Sequence, residues 1–131
     1  MSDKFYCPLP FVHQFVCADG IAICCRQNKR HDMTIEEFEH SEYLLSIRQQ
    51  LTNGEVPTEC QICQQEESQG MPSIRTQAVK DFSHAGTLPL QFVDLRHDNL
   101  CNLACRMCNS SYSSLWAREV DTYPELRKFQ K

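Results

Sequence analysis

Nine cysteines in 131 residues, gathered in groups, constrain this chain more than any other feature. An odd number cannot be used up by disulfides within one chain. The N-terminus offers no export signal, because Pro8, Pro10, His13 and Gln14 interrupt any apolar run there. The longest apolar stretch, Ile21-Ala22-Ile23-Cys24-Cys25, is far short of the ~20 residues a membrane helix needs. The expectation is a cytoplasmic chain with no membrane partner. In that compartment thiols stay reduced, and grouped cysteines point to metal rather than to a disulfide framework.

The tightest group is Cys101-x3-Cys105-x2-Cys108, directly after the alternating segment Leu90 to Leu95. Offsets of 0, 4 and 7 also describe one face of a helix, so three cysteines could pack there. Asn99, Asn102 and Asn109-Ser110-Ser111 argue instead for a loop. Thiolates suit iron–sulfur clusters and zinc. In a loop, backbone N–H groups and a cation such as Arg106 can stabilise a cluster's negative charge. Three protein ligands leave a fourth position open, which in metal sites marks catalysis more often than structure.

This loop after a strand resembles the signature of the radical S-adenosylmethionine superfamily, with Met107 where that family usually has an aromatic residue. The resemblance implies a [4Fe-4S] cluster on Cys101, Cys105 and Cys108. Its differentiated iron would bind the amino and carboxylate groups of S-adenosylmethionine. One electron, from an electron-donor partner, would then cleave the sulfonium to methionine and a 5′-deoxyadenosyl radical.

Upstream, Cys7, Cys24-Cys25 and Cys60-x2-Cys63 form a second group. A lone C-x2-C serves zinc and redox sites alike. Residues 5–25 read as a β-hairpin, with β-formers from Phe11 to Val16, a turn at Asp19-Gly20, and a return from Ile21 to Cys25. Adjacent strand residues face opposite ways, so one of Cys24 and Cys25 ligates and the other packs. Cys17 is read as a free thiol. The segments Cys7-Pro8-Leu9-Pro10, Asp19-Gly20, Cys24-Cys25, Gly54-Glu55, Cys60-x2-Cys63, Glu66-Glu67, Gly70 and Ser73-Ile74-Arg75 are similar to the twitch, or half-SPASM, module. That module occurs in some radical S-adenosylmethionine enzymes, usually after the radical core. The likeness implies a second [4Fe-4S] cluster, with structural zinc as the alternative.

The remaining sequence sets the expected α+β architecture. Thr34-Ile35-Glu36-Glu37 has the form of a capping box, and Ser41 starts a helix with Tyr43, Leu44, Ile47 and Leu51 on one face. Asn53-Gly54 and Pro57 end that helix, and Cys60 opens another that fades at Gly70 and Pro72. Residues 1–70 are expected to be the cysteine-rich hairpin-and-helix module, 71–89 a linker or wrapping segment, and 90–131 the first strand, cluster loop and helix of an α/β barrel. With 23 residues after Cys108, against ~250 for a full barrel, that barrel is expected to be incomplete or completed by a companion chain. Whether the chain alone is an enzyme is therefore left open.

Composition excludes some classes. A net charge of −4 argues against nucleic acid as a partner, and the run Arg26, Lys29, Arg30 and His31 reads as a solvated loop. His13, His31, His40, His84 and His97 read as surface or packing residues. Glu66, Glu67 and Arg75 read as a solvated helix face, and Trp116 with Leu115 as core. The competing function is a non-catalytic zinc or iron–sulfur module that docks onto a partner protein.

Overall fold

The computed structural model describes residues 4–82, 89–101, 103 and 105–129. Two compact units emerge, Met1–Arg96 and His97–Lys131. The first is α+β and holds a three-stranded sheet in the order β2-β1-β3. Strands β1 (His13–Cys17) and β2 (Gly20–Ala22) form the expected hairpin, with Phe15 opposite Ala22 and Cys17 opposite Gly20. Gly20 has φ +128°, and a Cβ there would lie 2.7 Å from the carbonyl oxygen of His31, which bridges to Ile21. Only glycine meets both conditions.

The hairpin is shorter than the expected span of 5–25. Leu9–Val12 form a helical turn, α1, because Pro8 and Pro10 preset φ for a first turn, and the amides of Phe11 and Val12 bond the Pro8 carbonyl. At the other end the strand stops at Ala22, so Cys24 and Cys25 lie in a bend rather than on a strand.

Helix α2 (Ile35–Glu39) carries the full Thr34/Glu37 capping box, and α3 (Glu42–Asn53) is capped by Ser41. Gly54 closes α3 in the left-handed region at φ +81°. A 3-10 turn, Thr58–Cys60, leads into α4 (Gln61–Ser68). Part of the expected linker is instead helix α5 (Ile74–Asp81), capped reciprocally by Ser73 and Thr76. Residues 83–88 of that segment, His84 among them, lie outside the described residues.

These helices bury one core, in which Phe38, Leu44, Ile47, Leu51 and Ala78 meet Leu9, Ile21, Ile23 and Cys7. Each large member, fully withdrawn from water, contributes ~2 kcal/mol. Half-buried Arg48 holds α3 to the rest, donating to the Pro10 carbonyl at 2.8 Å and pairing with Glu39 at 2.5 Å.

Strand β3 (Phe92–Arg96) lies parallel to β1, with His13 opposite Phe92 and Cys17 opposite Arg96. These ladder bonds group β3 with the hairpin in the first unit. In the second unit, α6 (Ser114–Thr122) starts at its cap Ser113, and a 3-10 segment, Pro124–Phe129, follows. No helix among the described residues is long and apolar enough to cross a membrane.

Candidate metal centres

Four cysteines of the first unit line one cavity: Cys7 just before α1, Cys24 in the bend after β2, Cys60 at the end of the 3-10 turn, and Cys63 in the first turn of α4. Positions 60 and 63 share a face because three residues make nearly one helical turn. Leu9, Pro10, Ile23, Ile62 and Ile74 supply apolar walls. Cys25 is exposed and does not line the cavity. Of the two adjacent cysteines the geometry therefore turns Cys24 inward, and Cys25 faces solvent instead of packing. Cys17, at the end of β1, also stands apart from this cavity.

Three of these sulfurs have raised thiol values. Burial pushes the Cys7 thiol up to about 12, and the negative charge of Cys24 or Cys63 adds to it. Burial likewise raises Cys24 to about 11 and Cys60 to about 12, with neighbouring cysteines contributing to both. Backbone N–H groups oppose the shift at two sulfurs: Leu9 at Cys7, and Arg26 and Gln27 at Cys24. Without metal Cys7, Cys24 and Cys60 keep their protons near neutral pH, so they are neutral neighbours rather than crowded thiolates.

Side chains outside the cysteines tie the segments together. Gln27, 8% exposed, donates from its amide to the carbonyl of Glu59, fixing the Cys24 bend against the turn that bears Cys60. Arg26 pairs with Glu66 of α4 at 2.6 Å. Arg75 makes a two-pronged pair with the Glu67 carboxylate and donates to the Tyr6 carbonyl at 2.8 Å. Sequence reasoning missed Gln27 altogether. It also read Glu66, Glu67 and Arg75 as solvated, whereas the Glu67 and Arg75 side chains are only 20% and 18% exposed. The basic run is also tethered rather than free: Arg30 lies over the Phe15 ring and Lys29 over Tyr43.

In the second unit the described residues of the three-cysteine segment lie in loop and turn, not on a helical face. Cys101 and Cys108 are half-buried and Cys105 is exposed. The start of α6 holds the loop's backbone. Ser114 Oγ accepts from the Cys101 amide at 3.1 Å and donates to its carbonyl at 3.2 Å. Ser113 Oγ donates to the Leu103 carbonyl at 3.0 Å, and Trp116 Nε1 to that of Cys105 at 3.0 Å. Trp116 is thus a half-buried clasp on the loop rather than core. His97, 96% exposed, pairs with Asp98 at 3.0 Å, and Asp98 also accepts from the Leu100 amide. Asn102 and Ala104 lie outside the described residues.

A tetrahedral zinc site would need sulfurs about 3.8 Å apart, from 2.3 Å bonds to one centre. Among the described residues no three His, Cys, Asp or Glu side chains are grouped so as to hold one metal ion. The cavity cysteines surround a space without converging on a point, and the loop cysteines do not converge either. No family model, curated protein or solved structure matches this chain. The donor set therefore has to be judged on its chemistry. All four cavity positions are soft sulfurs, two of them receive backbone N–H groups, and Arg26, Arg75 and the carboxylate Glu59 line the wall. A set of four thiolates is one that zinc and iron–sulfur clusters both use.

Proposed function

We propose that this chain is an iron–sulfur protein of the radical S-adenosylmethionine type, with one cluster on Cys101, Cys105 and Cys108 and a second in the four-cysteine cavity. The carrying observation is the three-cysteine loop itself, placed between a strand and a capped helix with its carbonyls engaged by Ser113, Ser114 and Trp116. With the backbone anchored from outside, the thiols make only long contacts, Cys101 with the Leu103 carbonyl and Cys108 with that of Asn109, both at 3.7 Å, which metal would replace. A cluster held by these three cysteines would leave one iron for the amino and carboxylate groups of S-adenosylmethionine and would supply one electron to its sulfonium.

The residues of this chain have narrower tasks. The start of α6 holds the loop in shape, and Arg106, exposed beside Cys105, offers a positive charge to an anionic group. In the cavity, Cys7, Cys24, Cys60 and Cys63 would fill every protein-ligand position of a cubane. That completeness suits electron relay or structure rather than substrate binding. The order of β3, loop and α6 is that of the first strand, cluster loop and helix of an α/β barrel. Further barrel units, on a companion chain, and an external electron donor belong to the same proposal.

The test is anaerobic purification with iron, sulfide and zinc analysis, followed by reduction and paramagnetic resonance with and without S-adenosylmethionine. We expect a reduced-cluster signal that changes shape when S-adenosylmethionine binds, and that disappears in Cys105→Ala. Colourless protein with zinc and no sulfide would refute the proposal in favour of a docking module stabilised by zinc. Unaltered iron, sulfide and signal in Cys105→Ala would remove the loop assignment.

A further inference from the structure

Three chain segments supply the cavity cysteines, and nothing covalent joins them when metal is absent. Gln27 and Arg26 link the Cys24 bend to the Cys60 turn and to α4. The Cys7 segment has a different tether. Arg75, from the first turn of α5, reaches across it with each part of its guanidinium engaged. Nε and Nη2 meet the Glu67 carboxylate on α4, and Nη1 donates to the carbonyl of Tyr6, the residue before Cys7. Its face lies over the Phe5 ring at 4.5 Å. Ser73 Oγ donates to the same Glu67 carboxylate and so fixes that group from the other side. Arg75 also lines the cavity, and its charge acts on Cys7 and Cys63.

Resting on the cluster reading of this cavity, we infer that Arg75 is its positioning residue, locking the Cys7 segment onto the helix of Cys63 and presenting a positive charge to the bound cluster. The planar fork explains why arginine stands here. Lysine carries the charge but cannot engage a carboxylate in two places while also reaching a carbonyl. Glu67 aligns the fork but does not line the cavity, so the cation is the nearer charge. A four-thiolate cluster becomes more anionic on reduction, and a cation at its wall therefore favours the reduced form.

The test uses the full chain with Cys101→Ala, Cys105→Ala and Cys108→Ala, so that iron reports this cavity alone. Arg75→Gln and Arg75→Lys are compared in that background. In metal-free protein, amide hydrogen exchange at Phe5–Cys7 should quicken in both variants. In reconstituted protein, iron release to a chelator should be about 10- to 100-fold faster in Arg75→Gln, the usual effect of losing an outer partner of a metal site. The reduction potential should fall in Arg75→Gln and stay near the parent value in Arg75→Lys, which keeps the charge.

Glu67→Gln, which retains the cation but loosens the fork, should quicken exchange with little change in potential. Exchange and iron release like the parent in Arg75→Gln overturn the positioning role. Equal potentials in Arg75→Gln and Arg75→Lys overturn the charge role. If the background protein takes up no iron, the cluster reading fails and the charge role falls with it. Exchange at residues 5–7 then still decides whether Arg75 locks the segment.

Discussion

Removing the Cys7 thiol should change how the metal-free protein responds to alkali, in a direction and amount that the burial of this group dictates. Cys7 is 7% exposed, and its thiol is pushed from 9.0 up to about 12, chiefly by burial. Unfolded chain regains the ordinary value. Below pH 9 both states hold the proton and the group's contribution is fully present. Between pH 9 and 12 the unfolded chain loses its proton first, so folding weakens as pH rises. Three units at ~1.36 kcal/mol each set an upper size of about 4 kcal/mol. A domain of ordinary stability, ~5–15 kcal/mol, would feel that strongly. The assay is urea denaturation of metal-free, fully reduced protein at pH 8, 9, 10 and 11, for the parent and for Cys7→Ala. Tyrosines and lysines titrate in both proteins, so the difference between them isolates the thiol. The parent should lose stability faster than the variant as pH rises past 9. A constant difference from pH 8 to 11 would refute the reasoning and imply that Cys7 is not held in a low-dielectric site.

Other substitutions probe the same structure from different sides. Cys24→Ala should lower the iron content of reconstituted protein by about half and Cys25→Ala should leave it unchanged, as read by metal analysis; the reverse pattern would show that the bend turns the other way. Trp116→Phe removes the donor to the Cys105 carbonyl at an expected cost of about 1 kcal/mol, seen as roughly fivefold faster iron loss from the three-cysteine loop. Burial holds His13 below its usual 6.5, with Nδ1 facing the Ile23 carbonyl at 3.3 Å. Its contribution is therefore complete above pH 6.5 and is lost as pH falls through the depressed value. His13→Gln should flatten that acid limb in a pH series of denaturation midpoints. Gly54→Ala should cost more than Gly70→Ala in thermal unfolding, because both have positive φ but only at Gly54 would the new Cβ meet a neighbour, Lys4 Cβ at 2.8 Å.

Local chemistry made parts of the fold legible from sequence. Thr34 with Glu37, Ser41, and the periodic Leu44, Ile47 and Leu51 announce α2 and α3 because caps and periodicity act within a few residues. Helix α5 escaped notice because Thr76 rather than a glutamate completes the capping box of Ser73, and because only Ala78 of the helix is buried. The turn α1 was hidden under β-forming side chains, and the two prolines decided it. The site residues divide in the same way. Cysteine spacing marked the ligand candidates, but choosing Cys24 over Cys25 required knowing that β2 stops at Ala22. Arg75 looked solvated because its carbonyl partner, Tyr6, lies 69 residues away in sequence. No short-range pattern carries that information.

Parallel pairing of β3 with β1 also imposes an order on synthesis. The central strand is complete at Cys17, yet its second neighbour ends at Arg96. Until residues 92–96 leave the ribosome, one edge of β1 has unpaired amides and carbonyls, the kind of edge on which extended chains aggregate. By then Cys7, Cys24, Cys60 and Cys63 have all emerged, together with Gln27 and Arg75, whereas Cys101 has not. The nascent chain can therefore assemble and load the cavity while the three-cysteine loop is still inside the tunnel. Metal captured at that stage would stiffen the hairpin that β3 must join, so cysteine supply early in the chain would help the last strand find its place.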